Sequence, residues 1–209
     1  MSKNKRLLKP IAIAVEGADW FYLLLNQIKN KSEFEHIQLF DFAGISQLGS
    51  FLSLLRRDRK FEQLKALGIM RDAELDREAA VTSLQTTLRH AGFAAPDAPN
   101  QISTTPVPAV AYLVIPHDEP SGCLENAILK AHIDEEISNC VTAFLHCVDP
   151  TSQRTANEQA KMKVRAIIAA SKVPGMTLGE SANVGLWNWN HPSLRIMVDF
   201  IRLVRDAAH

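Results

Sequence analysis

Acidic side chains stand just beyond two short apolar runs. Ile11-Ala12-Ile13-Ala14-Val15 leads into Glu16-Gly17, and Leu67-Gly68-Ile69-Met70 leads into Arg71-Asp72-Ala73-Glu74. Apolar runs of this length that stop abruptly at carboxylates have the form of buried strands delivering charge to their carboxyl ends. That is where open α/β sheets bind ligands. Asp72 and Glu74 are two apart on an extended segment, so their side chains leave on one side. If the strands that carry Glu16 and Asp72 are neighbours, three carboxylates meet at one rim. Lone carboxylates are costly to bury. An all-oxygen donor set suits a hard cation of the Mg²⁺ kind, or Mn²⁺, which keeps several waters and shares a substrate phosphate. The same acids also read as caps of the helices that follow, since acidic groups favour helix N-termini.

The other chemistry-bearing patterns are weaker. Gly44 and Gly49-Ser50 have the glycine spacing of a P-loop, but Ser50 stands where the phosphate-binding lysine belongs, which excludes an ATP site. His117-Asp118-Glu119 and the pair His132 and Glu136 lack a second histidine at zinc-ligand spacing. No Cys-x-x-Cys, nucleophile elbow or His-Glu-x-x-His occurs, which argues against a thiol redox enzyme, a serine hydrolase and a metalloprotease. Cys140 and Cys147, seven apart, fit one buried helix face. The run Arg56-Arg57-Asp58-Arg59-Lys60 is either a solvated helix face or a track for a phosphate backbone. Trp187 and Trp189 could stack on a base or form a lid over the core.

Positioning these residues requires alternating strands and helices. Strands are expected over 10–16, 36–42, 68–73 and 109–115, the last ended by Pro116. A helix starts at Asp19 as N-cap, with Trp20, Leu23, Leu24 and Ile28 on its inner face. Residues 44–49 read as a loop, 51–67 as mostly helical, and 76–90 as a helix stopped by Gly92. Residues 94–108, with Pro96, Pro99, Pro106 and Pro108, have loop composition. Helices follow from Leu124, from about Thr155 to Ser171 with Ala160, Val164, Ile167 and Ile168 inward, and from Pro192 at a first helical position. Lys161 and Arg165, four apart, share the face opposite that apolar stripe and read as solvated. This alternation predicts an α/β fold with a mainly parallel sheet, helices on both faces and further C-terminal helices. One domain spans 1–209, with a core over about 10–135 and a helical extension over about 136–209.

Composition narrows the function classes. Twenty-three basic and 23 acidic side chains cancel, so a general nucleic-acid coating role is excluded and any such contact must be local. Three cysteines without paired spacing point to reduced thiols and a cytoplasmic protein. The basic start, MSKNKRLLKP, precedes an apolar run too short for a signal peptide, and no run reaches membrane-spanning length.

Taken in order, Val15-Glu16-Gly17, Gly44 after the second strand and Asp72-Ala73-Glu74 after the third resemble the Toprim domain. Topoisomerases, bacterial primases, overcoming-lysogenization-defect (OLD) nucleases and small stand-alone proteins share that domain. Tyr112-Leu113-Val114-Ile115-Pro116 followed by Ser121-Gly122-Cys123-Leu124-Glu125, and the later Trp187 with His191-Pro192, look like a stand-alone branch; the resemblance covers roughly residues 10–205. It implies a Rossmann-like Toprim fold and Mg²⁺-assisted phosphoryl transfer, most often nucleic-acid cleavage by a nuclease. Glu16 would be the general acid/base or a ligand of a second metal. Asp72 and Glu74 would hold Mg²⁺, Glu125 would complete a second metal position, and Lys161 would stand for the lysine that OLD-type nucleases use. The implied partners are nucleic acid and a separately encoded ATPase, the latter also for a non-catalytic interaction module with the same fold. One departure stands out: the third motif is Asp-x-Glu where the family pattern is Asp-x-Asp.

Overall fold

A computed structural model describes residues 6–105, 107–151 and 153–208. Residues 1–5 of the basic N-terminal stretch and Pro106 of the Pro-rich segment lie outside the described residues. The strands are β1 (Ile11–Val15), β2 (Ile37–Asp41), β3 (Ala66–Asp72), β4 (Ile102–Ser103) and β5 (Ala109–Ile115), in the order β2-β1-β3-β5-β4. The first four in that order run parallel, and β4 pairs antiparallel at the edge. Every residue of β1, β3 and β5 is buried. Layers of helix on both faces explain why these strands read as continuous apolar runs.

The two faces divide by alternation. Ile11, Ile13, Val15 and Met70 point into one core, with α1 (Ala18–Ile28), α4 (Leu124–Lys130), α6 (Ala156–Ala170) and α8 (Pro192–Asp206). Ala12, Ala14, Leu67 and Ile69 point into the other, with α2 (Ile45–Arg56) and α3 (Arg77–His90). α5 (Glu135–Val148) packs on α6, and the short α7 (Leu178–Ser181) packs on α1. No helix among the described residues is long and apolar enough to cross a membrane.

Several expectations change. α1 is capped by Gly17, not Asp19, and α2 begins at Ile45 inside the expected loop and ends at Arg56. Gly17 and Gly44 take φ values of 99° and 97° at the two strand-to-helix corners, a conformation that other residues rarely adopt. Those glycines turn the chain into a helix at once. Gly49, which read as loop punctuation, sits inside α2 beside Thr87 of α3. The Pro-rich segment contributes β4 to the sheet. α5 is a separate helix with only Val141 fully buried, and Cys140 and Cys147 lie on its exposed side, not a buried face. The expected ends of α3, α6 and α8 hold. Asp76 accepts from Glu78 N at 2.9 Å and Ala79 N at 3.1 Å. Thr155 and Glu158 form a capping box, and Pro192 opens α8.

Candidate active site at the carboxyl rim of the sheet

β1 and β3 are neighbours in register, Val15 opposite Met70, so Glu16 emerges beside the end of β3. Its carboxylate is held on both oxygens. Oε1 accepts from Ile45 N at the start of α2 at 3.0 Å. Oε2 accepts from Asp72 N at 3.2 Å and lies 3.6 Å from Arg71 Nε. Arg71 Nε also donates to the Asp72 carbonyl at 3.1 Å. Glu16 thus brackets the exits of β1 and β3 to the start of α2, and Arg71 neutralises it inside the protein.

Asp72, 8 % exposed, is the centre of the rim. Its Oδ1 accepts from Trp20 Nε1 at 3.0 Å and from Leu124 N at 2.8 Å, at the positive end of α4. No described group donates to Oδ2. Burial, followed by repulsion from Glu16 and Glu125 and then Glu74, raises its pKa well above the ordinary aspartate value. Glu16, Glu125 and Glu74 thus all act on Asp72 electrostatically.

Glu74 leaves differently from the expectation. β3 ends at Asp72, and Glu74 adopts φ 57°, so the two-residue alternation that would align it with Asp72 is broken. Its backbone exchanges two 2.7 Å hydrogen bonds with Gly122, and its Oε2 accepts from Asn157 Nδ2 of α6 at 3.1 Å. The Gly122 contact also draws the start of α4 to the rim, placing Glu125 near Asp72 with 7 % exposure. Cys123 caps α4 with its thiol 3.2 Å from Asn126 Oδ1. Burial first, then Glu125, keeps that thiol protonated and unreactive.

Lys161 is not on a solvated face. It is half-buried and borders a groove with Glu125, Asp19 and Arg165. Burial works against its charge, but the carboxylates of Glu125, Asp72 and Glu74 outweigh that, and its pKa is raised. The rim therefore carries Asp72, Glu74 and Glu125 against one cation, Lys161, with Glu16 answered by Arg71.

Several of the remaining candidates have structural partners. Arg56 donates to the carbonyls of Ala91 and Gly92 at 3.0 and 2.8 Å and lies over the rings of Phe61 and Phe93. Asp58 accepts from Leu7 N at 2.9 Å. Trp187 is buried and donates to Ser181 Oγ at 2.7 Å, so it is not available to stack on a base, and Trp189 donates to the Ala182 carbonyl at 3.2 Å. Asp118 and Glu119 both pair with Lys130, and His132 lies 2.8 Å from Ser138 Oγ.

A family model described as "Protein of unknown function (DUF3226)" matches residues 11–206. The chain belongs to the DUF3226 family. No curated protein matches its sequence. Among solved structures it is similar to the C-terminal region of the Xanthomonas campestris pv. campestris OLD protein. The platinum-phased structure has a TM-score of 0.51 and 14% identity, with 96% of this chain and 94% of that chain covered. The same region phased with mercury and with iodine gives 0.51 in both cases, at 13% and 14% identity, with 96% of each chain covered. Identity this low shows the fold alone. The DUF3226 chain has the Toprim-like α/β architecture of that OLD region, as the order of its motifs implied.

Among the described residues of the DUF3226 chain, no three His, Cys, Asp or Glu side chains gather tightly enough to enclose a metal ion. The donor chemistry nonetheless fits a hard divalent cation. Mg²⁺ is commonly held by one or two carboxylates, with water and substrate oxygens supplying the rest. Asp72 Oδ2 and Glu125 are suited to that role, with Glu74 beside them. Glu16 is less suited, because protein donors already engage both of its oxygens. Sequence reasoning passed over Trp20, Arg71 and Asn157. A charged residue within an otherwise apolar strand was the available signal for Arg71. Trp20 and Asn157 gave none.

Proposed function

We propose that this protein is a Toprim-type nuclease that cleaves nucleic-acid phosphodiesters with the help of Mg²⁺ or Mn²⁺ at the sheet rim. The observation that carries the reading is Asp72, a buried carboxylate with one oxygen fixed and the other without a protein donor, among acids that Lys161 alone does not balance. A divalent cation bound there would neutralise charge on the phosphate and lower the pKa of a bound water. Trp20 and the first amide of α4 hold the Asp72 carboxylate in a single orientation, which is the preorganisation that catalysis requires. Lys161, kept charged by its neighbours, donates to a phosphate oxygen. Glu16 positions the site by tying Asp72 N to the start of α2; its engagement by N–H donors favours that role over proton transfer.

The test is cleavage of single- and double-stranded DNA and RNA with Mg²⁺ or Mn²⁺, comparing the wild type with Asp72→Asn. The variant keeps an acceptor for Trp20 and Leu124 N and should lose at least ~10²-fold in rate. Equal rates would overturn the reading.

A second reading is a non-catalytic module that docks a separately encoded ATPase. The exposed apolar side chains Ile133, Phe144 and Val148 on and beside α5 favour it. A stable complex that survives Glu16→Gln and Asp72→Asn, together with no cleavage by the wild type, would establish it.

A further inference from the structure

A groove of about 330 Å³ opens beside the acidic rim, between the start of α1, the face of α6 that carries Lys161, Val164, Arg165 and Ile168, and the turn at 174–178. Its two ends differ in chemistry. Glu125 and Lys161 border both the groove and the Asp72 cluster, so the two are continuous. Further along, Arg165 stands one helical turn beyond Lys161 and is exposed. Neither cation makes a hydrogen bond or a close ion pair among the described residues. The apolar part of the lining is Val164 and Ile168, beside the cations on α6, with Met176 and Leu178, and Asp19 lies on the α1 side. A pair of unpaired cations at one-turn spacing beside an apolar lining matches a nucleotide, with phosphates on the cations and the sugar and base on the lining. The volume is at the small end of ligand pockets, enough for one nucleoside.

We propose that this groove receives the nucleoside adjoining the phosphate held at Asp72, with Lys161 facing that phosphate and Arg165 holding the next one along the strand. The assignment rests on the phosphoryl-transfer reading for what happens at Asp72, but binding in the groove does not need a metal. Arg165 is therefore a positioning residue, and the site takes a phosphate–nucleoside–phosphate unit instead of a lone anion.

The experiment is calorimetric titration of the full-length protein in EDTA with thymidine 3′,5′-bisphosphate and, separately, with inorganic phosphate. Wild type, Arg165→Ala, Arg165→Lys and Asp72→Asn are compared, with thermal unfolding to verify each fold. The bisphosphate should bind at least ~10-fold more tightly than phosphate. Arg165→Ala should weaken it about 10-fold, with Arg165→Lys in between, because guanidinium engages phosphate in a bidentate manner that ammonium cannot. Asp72→Asn reports separately on the chemistry, and its cleavage rate in Mg²⁺ should fall at least ~10²-fold. Absence of bisphosphate binding by the wild type, equal binding by Arg165→Ala, or binding no tighter than phosphate would each overturn the groove assignment, even if the wild type cleaves DNA. Binding that follows the prediction in a protein that cleaves nothing would remove the nuclease reading and leave the groove as a nucleotide site.

Discussion

Replacing Glu16 by Gln tests whether this residue is a structural bracket or a metal ligand, because the two roles predict opposite signs. The Glu16 and Arg71 side chains are 11% and 6% exposed and lie 3.6 Å apart. Glu16→Gln removes the negative partner of a buried guanidinium. It also turns an amide N–H₂ towards Asp72 N or Ile45 N, where a carboxylate oxygen now accepts at 3.2 or 3.0 Å. Breaking one side of a buried pair costs about 3–5 kcal/mol. Arg71 keeps its bond to the Asp72 carbonyl, so about 3 kcal/mol is expected. For a chain of this size that corresponds to a drop in Tm of roughly 6–12 °C. Arg71→Met alone should cost a similar amount by leaving Glu16 uncompensated. The double variant should recover at least ~2 kcal/mol relative to the sum, since replacing both charges is far cheaper than stranding one. Urea and thermal unfolding in EDTA supply all four corners of the cycle. A Glu16→Gln variant that is as stable as wild type or more stable would refute the bracket, because a ligand without its metal is relieved by losing its charge.

Other consequences follow from local geometry. Glu33 accepts from Arg202 at 3.1 and 3.2 Å and from Arg205 at 2.8 Å, and the Arg202 hydrogen bond leads in lowering its pKa below 4.5. A lowered carboxyl pKa stabilises the fold above pH 4.5, and that contribution is lost as the pH falls through the folded value. Glu33→Gln should therefore cost about 0.5–1 kcal/mol near pH 7 and nothing in strong acid, measured by urea unfolding across pH. Gly68 lies in β3, where an added Cβ would come within 2.6 Å of Ile13, 2.9 Å of Val204 and 3.0 Å of Phe200. Gly68→Ala should lower stability by about 2 kcal/mol, and an unchanged Tm would contradict the packing of α8 on the sheet. Lys161→Met should reduce cleavage by about 10²-fold with Tm within ~2 °C of wild type.

The parts of the fold that the sequence announced are those whose determinants are local. β5 is seven consecutive buried residues, and α6 and α8 carry their own start signals in Thr155 and Pro192. What escaped depends on contacts distant in the chain. Gly44 and Gly49 have loop chemistry, yet the strand exit at Phe42 and the close approach of α3 turn the same segment into helix. At the rim, Asp72 was legible because an acid next to a buried run is conspicuous, whereas Glu125 came only through the resemblance of Ser121-Gly122-Cys123-Leu124-Glu125 to the stand-alone Toprim-like branch. The split between Asp72 and Glu74 was not legible, since it follows from the left-handed φ of Glu74 and its pairing with Gly122. Lys161 read as solvated from helical periodicity, and only the packing of α6 against α4 turns it towards Glu125.

The central claim is that the rim around Asp72 binds a divalent cation, and calorimetric titration of Mg²⁺ and Mn²⁺ into wild type and Asp72→Asn tests it most directly. The expected result is wild-type binding at sub-millimolar to millimolar metal that disappears in Asp72→Asn while thermal unfolding shows the variant folded. Wild type that takes up no cation at millimolar concentration, or binding that Asp72→Asn leaves unchanged, would contradict it.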